Sequence, residues 1–340
     1  MTDARQQLIH SFLADAGWAD ALRHPLAGDA SARRYLRLTN GTARAVLMDA
    51  DPRSGERVDR FVDVGRWLAA QGYSAPALLA SDMANGLLLL EDLGDDLIAR
   101  LVVADPARER PLYLSVTDFL CDLHRRPPPG FLAVADGAAL ADLSARLTAW
   151  YLPAVDARPS DATAAIPVEI ARLHDHFSDG SLVVSLRDFH AENLIWLPGR
   201  TGPAQVGLLD FQDAFATHPA YDLVSLCQDA RRDVSPATEA ACLTDYLQKT
   251  GRDPDTFAAI YALLGAQRAL RIMAVFARLC LRSGKAHYLD YMPRIWGYLM
   301  RNLAHPGLAP LAHAITVGLP APTPENLQRI KEKCGTRPDL

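Results

Sequence analysis

The spacing of apolar residues changes character near residue 92, and this change limits the folds open to the chain. Before it, Arg34-Tyr35-Leu36-Arg37-Leu38 and Ala45-Val46-Leu47-Met48 read as strands joined through Asn40-Gly41, a strong hairpin signal. An opening helix is expected over Gln6 to Ala16, and a second from about Gly55 to Ala70, where Val58, Phe61, Val62, Trp67 and Leu68 recur at helical spacing up to Gly72. Leu87-Leu88-Leu89-Leu90 reads as a strand buried on both faces, ending at Glu91-Asp92-Leu93-Gly94. Beyond residue 92 helical periods dominate: Pro111 to Arg125, about Ala164 to Phe177, and, after a sheet-like interruption, on to about Leu303. One sheet-like interruption, Leu182 to Val184, Leu194 to Leu197 and Val206 to Leu209, breaks that run; a Pro-rich stretch from Pro306 to Pro324 precedes a short terminal helix. The pattern predicts an α+β chain of two domains: a small antiparallel-sheet lobe over 1–92 and a larger, mostly helical lobe over 93–340.

Charge narrows the partners. The 340 residues carry a net charge of −5 with no polybasic run, so neither nucleic acid nor an acidic membrane surface is expected, and the partner should be a small molecule. The N-terminal residues lack an apolar signal core, and no stretch approaches the ~20 apolar residues that would suggest a bilayer span. Five scattered cysteines, never in a Cys-x-x-Cys pair, suit a reduced cytoplasm, with the chain a monomer or homodimer. Lys249, Lys285, Lys331 and Lys333 are the only lysines. Schiff-base chemistry and a P-loop are therefore excluded from the first two-thirds of the chain.

The interruption carries the chemistry. Arg187-Asp188-Phe189-His190-Ala191-Glu192-Asn193 lies before one short strand, and Asp210-Phe211-Gln212 closes another. An Asp followed five positions later by Asn, then a hairpin and a strand ending in Asp, is what phosphoryl transfer requires. One carboxylate, Asp188, meets the acceptor hydroxyl, while the carboxamide of Asn193 and the carboxylate of Asp210 reach a metal that neutralises phosphate charge.

These runs, with Asp210 to Ala214 and Pro219-Ala220-Tyr221-Asp222-Leu223, resemble the aminoglycoside phosphotransferase superfamily of protein-kinase-like small-molecule kinases. Gln267-Arg268, Phe276 to Cys280, Arg282 to Lys285, Ser31 to Tyr35 and Val46 to Ala50 are similar to one subgroup, the bacterial kinases that phosphorylate N-acetylmuramic acid and N-acetylglucosamine at the anomeric hydroxyl. The resemblance implies a bilobal protein-kinase-like fold and a kinase using ATP and Mg²⁺. It makes Asp188 the catalytic base or orienting group and Asn193 and Asp210 the Mg²⁺ ligands. Glu91 to Leu93 would meet adenine through the backbone, Gly28 to Ser31 would turn over the phosphates, and Asp222 would brace the catalytic loop. Arg268 and Arg271 are expected on the acceptor side, and His190 either contacts the acceptor there or serves as a structural hydrogen-bonding residue.

The chain departs from the family pattern in two places. Leu186 stands where a histidine usually precedes the catalytic aspartate, which leaves Arg187 as a candidate brace. Met48 stands where a strand lysine usually holds phosphate; Arg33, Arg34, Arg37 and Arg44 are candidate replacements, Arg34 foremost. Strand alternation sets Arg33, Tyr35 and Arg37 on one face and Arg34 on the other. Residues 261–301 hold seven cationic side chains against the single acid Asp290, which favours a neutral or anionic acceptor such as N-acetylmuramic acid. An aminoglycoside or amino-alcohol kinase, or a nucleotide-binding pseudokinase, are the competing readings.

Overall fold

Gly41 and Thr42 form the two-residue loop between the first long strands, with Gly41 at φ +61°, one residue later than the Asn40-Gly41 dipeptide suggests. The computed structural model describes residues 3–26 and 33–337; Gly28 and Ser31 lie outside these. In chain order the elements begin with α1 (Asp3–Asp15), β1 (Leu22–Leu26), β2 (Arg34–Asn40), β3 (Ala43–Asp49), α2 (Asp59–Ala70), β4 (Leu78–Asp82), β5 (Leu87–Glu91) and α3 (Ile98–Ala104). There follow α4 (Glu109–Leu123), α5 (Gly137–Ala154), α6 (Asp161–Phe177), β6 (Val183–Ser185), β7 (Leu194–Trp196), β8 (Val206–Leu208), β9 (Phe215–Thr217) and α7 (Ala220–Cys227). The chain finishes with α8 (Pro236–Thr250), α9 (Pro254–Ser283), α10 (Met292–Leu303), α11 (Ala309–Gly318) and α12 (Pro324–Glu332).

Two compact units result, one of residues 1–108 with 191–214, the other of 109–190 with 215–340. In the first, five antiparallel strands run in the order β1-β2-β3-β5-β4. Ile9, Phe12 and Leu13 of α1 pack on one face, against Leu38, Ala45, Leu47, Leu87 and Leu89. Met48, Leu88 and Leu90 on the opposite face are also buried, so β5 is apolar at four successive positions. β7 and β8 pair as a separate hairpin in this unit. Phe61 of α2 stacks on Phe211, ring centroids 4.7 Å apart, and Arg60 donates to the Ala214 carbonyl at 2.9 Å. Gly65 leaves room for that ring: a Cβ there would already touch it at 3.4 Å.

The second unit is helical around α9. Asp253 caps this helix by accepting from the Thr256 N–H at 2.8 Å, Pro254 occupies its first turn, and Gly284 ends it at φ +68°. Its sequence is apolar and long enough to cross a membrane, contrary to the reading that no stretch is, yet 94% of that apolar window is buried inside the fold. It is the core helix of the unit. β6 and β9 form a two-stranded sheet in the same unit.

Candidate active site

In the helical unit the loop that carries Asp188 leaves β6 through a strained turn. Arg187 adopts φ +70°, a left-handed conformation unfavourable to a residue with a Cβ. Buried Asp222 holds the turn: its Oδ2 accepts from the Leu186 N–H at 2.7 Å, and its Oδ1 accepts from the Ser185 hydroxyl at 2.7 Å and the Arg187 N–H at 3.1 Å. At Leu186, whose side chain can neither donate nor accept, the link to Asp222 runs through the backbone amide. The Arg187 side chain lies over the Phe215 ring at 5.9 Å, so this residue braces through its main chain and by packing. Burial pushes the Asp222 carboxyl up to about 6, against the pull of its three donors.

Asp188 follows, with two guanidiniums beside it. Arg268 and Arg271, one helical turn apart on α9, bring their Nη1 atoms to 3.4 and 3.6 Å from Asp188 Oδ1. Burial works against ionisation of Asp188, but Arg271 and Arg268, with Arg187 and His190, outweigh it and hold the carboxyl well below the ordinary carboxylate range. Arg268 also reaches the Arg187 carbonyl, and Arg271 the Tyr221 hydroxyl. His190 is buried, with Nε2 2.8 Å from an Arg231 nitrogen; because arginine can only donate, Nε2 accepts and the proton sits on Nδ1. Burial lowers the His190 pKa to about 4, so the ring is neutral. Arg231 is a partner that sequence reasoning missed, since only the fold brings 231 to 190.

The cationic segment is less cationic than its composition. Arg294 pairs with Asp233 at 2.6 Å and Arg301 with Glu239 at 2.8 Å, both acids outside 261–301. What faces Asp188 is Arg268 and Arg271. A small cavity beside Arg268 is lined by Gln228, Gly265, Ala269, Ile272, Ile295 and Tyr298.

The sheet unit holds the other candidates. The Leu209 N–H donates to the Asn193 carbonyl at 2.9 Å, fixing Asn193 beside the strand that leads to Asp210. Asp210 has φ +54°, and its Oδ1 accepts from Gln212 Nε2 at 2.9 Å. Met48 is 1% exposed, in register with Tyr35 on β2 and Leu88 on β5. Arg34 turns away to Asp49, at 2.7 Å, which Arg5 also engages at 2.6 Å. Arg33, one residue earlier, lies on the side of Asp210. Glu91 pairs with Arg200 at 2.5 Å, its N–H donates to the Ala77 carbonyl, and Leu93 is buried. Arg37 fastens the segment after β5 through Asp92 and Asp95, each at 2.7 Å.

The helical unit thus holds a carboxylate kept ionised at a tight turn, and the sheet unit holds an Asn–Asp pair at adjoining strand ends; phosphoryl transfer uses residues of both kinds. Residues 23–260 match the phosphotransferase enzyme family, and the chain belongs to it. It is 40% identical to an N-acetylmuramate/N-acetylglucosamine kinase of Caulobacter vibrioides, over 92% of this chain and 96% of that one. It is 31% identical to a kinase of the same name from Pseudomonas aeruginosa, over 92% and 96% of the two chains. The crystal structure of a choline/ethanolamine kinase family protein from Mesorhizobium loti superposes with a TM-score of 0.62 at 14% identity, covering 92% of this chain and all of that one. The fold is therefore protein-kinase-like, as expected, and the chain is a small-molecule kinase with a hydroxyl acceptor and a nucleoside triphosphate as donor.

Proposed function

We propose that the protein is an ATP- and Mg²⁺-dependent amino-sugar kinase that phosphorylates N-acetylmuramic acid and N-acetylglucosamine at the anomeric hydroxyl. The observation that carries this reading is the 40% identity, along 92% of the chain, to a kinase named for those two sugars. The Asp188 surroundings support it. Two guanidiniums favour a neutral or anionic acceptor over a polycation, because a polycationic aminoglycoside would be repelled at the point of attack.

Asp188 accepts a hydrogen bond from the acceptor hydroxyl and aims that oxygen at the γ-phosphorus. Held ionised by Arg268 and Arg271, it is a weak base. That suits a loose transition state, in which the proton leaves late. It also suits an anomeric hydroxyl, the most acidic on a sugar because the ring oxygen stabilises its alkoxide. Arg187 and Asp222 keep Asp188 in place; neutral His190 and the arginine pair contact the sugar side. The oxygens of Asn193 and Asp210 are the hard donors that Mg²⁺ prefers, and these two residues would hold it. When bound, the ion neutralises charge on the phosphates. The backbone of Glu91 to Leu93 meets adenine.

Purified protein with Mg²⁺-ATP is expected to consume ATP with N-acetylglucosamine and N-acetylmuramic acid, and the product should lose its reducing-end reaction. Asp188→Asn should lower kcat at least 1,000-fold while nucleotide binding persists. Consumption with choline or kanamycin alone would make the amino-alcohol or aminoglycoside reading correct. No consumption with any acceptor would make the chain a pseudokinase.

A further inference from the structure

Every lysine of the chain lies at or after residue 249, so the nucleotide phosphates need another cation. Met48, on β3, offers only a thioether and is wholly buried between Tyr35 and Leu88. Four arginines surround the vacancy in sequence. Arg37 is engaged with Asp92, Asp95 and the Gly94 carbonyl. Arg34 is turned to Asp49, on the face of β2 opposite Arg33. Arg44 is exposed at the hairpin end of the sheet.

Arg33 differs from these three. Its guanidinium is 10% exposed and lies between two carboxylates, Nε 3.3 Å from Glu56 and Nη2 3.6 Å from Asp210. Beside it, burial above all raises the Tyr35 hydroxyl to about 12, so the ring stays neutral. Its distances to these two carboxylates are longer than the 2.6–2.7 Å that Arg5, Arg34 and Arg37 make with their acids, and the Tyr35 hydroxyl is a further hydrogen-bond partner. A planar fork held at these distances can take up phosphate oxygens without leaving Glu56, which orients it, and without leaving the neighbourhood of Asp210.

We propose that Arg33, reaching from the start of β2, replaces the absent β3 lysine and holds the nucleotide phosphates. This rests on the kinase reading above, and calorimetric titration separates the two. Arg33→Ala is expected to raise the Kd for Mg²⁺-ATP at least tenfold while leaving that for adenosine, which has no phosphate, unchanged. Arg33→Lys should lie between wild type and Arg33→Ala, and adding Met48→Lys to Arg33→Ala should restore part of the affinity by returning a cation to β3. Arg57→Ala, which removes an 80% exposed charge nearby in sequence, should bind Mg²⁺-ATP as wild type does. Unchanged Mg²⁺-ATP affinity in Arg33→Ala overturns the assignment, and so does an equal loss for adenosine, which would mark Arg33 as structural. Wild-type protein that binds no Mg²⁺-ATP would overturn the kinase reading along with it.

Discussion

Arg187 and Asp210 are two of the three non-glycine residues with positive φ among those described, and both adjoin the proposed chemistry. Each such conformation costs on the order of 1–3 kcal/mol, which neighbouring bonds must offset. For Arg187 the offset is Asp222. In Asp222→Asn, an NH₂ group must face one of the three donors now bonded to the carboxylate, at a cost of about 2 kcal/mol for each donor left unmet. Lower thermal stability and a kcat at least tenfold down are expected. The same residue sets a pH dependence. Protonation of Asp222 near pH 6 weakens its hold on the Leu186 and Arg187 amides, so activity should fall as pH drops through about 6. Asp188, held well below the carboxylate range, stays ionised there and cannot produce that limb. Stability should run the other way. The folded chain keeps the Asp222 proton that the unfolded chain releases near the ordinary carboxylate value of ~3.9. Its contribution is thus full below about pH 4 and lost as pH rises toward 6. An acid limb surviving in Asp222→Asn would assign it elsewhere.

Among the elements, α9 carries the two arginines beside Asp188, and its weak point is Gly265. A Cβ there would fall 2.3 Å from Asn302 Nδ2 and 2.8 Å from Gln228 Oε1, within the reciprocal amide pair those two side chains form. Gly265→Ala should cost about 2–3 kcal/mol by overpacking, read as a lower urea midpoint. Asp253→Ala, which removes only a cap, should cost about 1 kcal/mol. β2, β3, β5, α2 and α4 were legible in sequence, because their signals are local. Other elements were not. β1 is an edge strand containing Pro25 and mostly exposed, so no alternation marks it. α5 has alanines at 138, 139, 141, 145 and 149, on every face, which blurs its apolar stripe. α11 lies inside the stretch expected to be a Pro-rich connection, because Pro310 falls in its first turn, where a missing N–H costs nothing.

At the scale of the whole molecule, candidates close in sequence could be named from their spacing. Asp188, Asn193 and Asp210 were named in that way, and the chain passes from the helical unit to the sheet unit between His190 and Ala191. The Arg268 and Arg271 contacts span about 80 residues, and composition over 261–301 overstated the charge because Asp233 and Glu239 lie outside that window. Alternation already set Arg33 on the face of Tyr35, and the preference for Arg34 went the other way because neither the Asp49 that engages Arg34 nor the Asp210 that Arg33 approaches is adjacent in sequence.

The methionine on β3 also determines which chemical reagents can see this enzyme. Acyl-phosphate nucleotides tag kinases by acylating a lysine amine beside the phosphates, and here every lysine belongs to the helical unit. Such a probe should bind and leave no tag in the sheet unit, so a proteome-wide survey built on it would pass this kinase over. Met48→Lys should convert that silence into a labelled peptide, detected by mass spectrometry at residue 48 and suppressed by excess ATP. If a saturating probe left Lys-substituted residue 48 unmodified, β3 would not be the strand behind the phosphates.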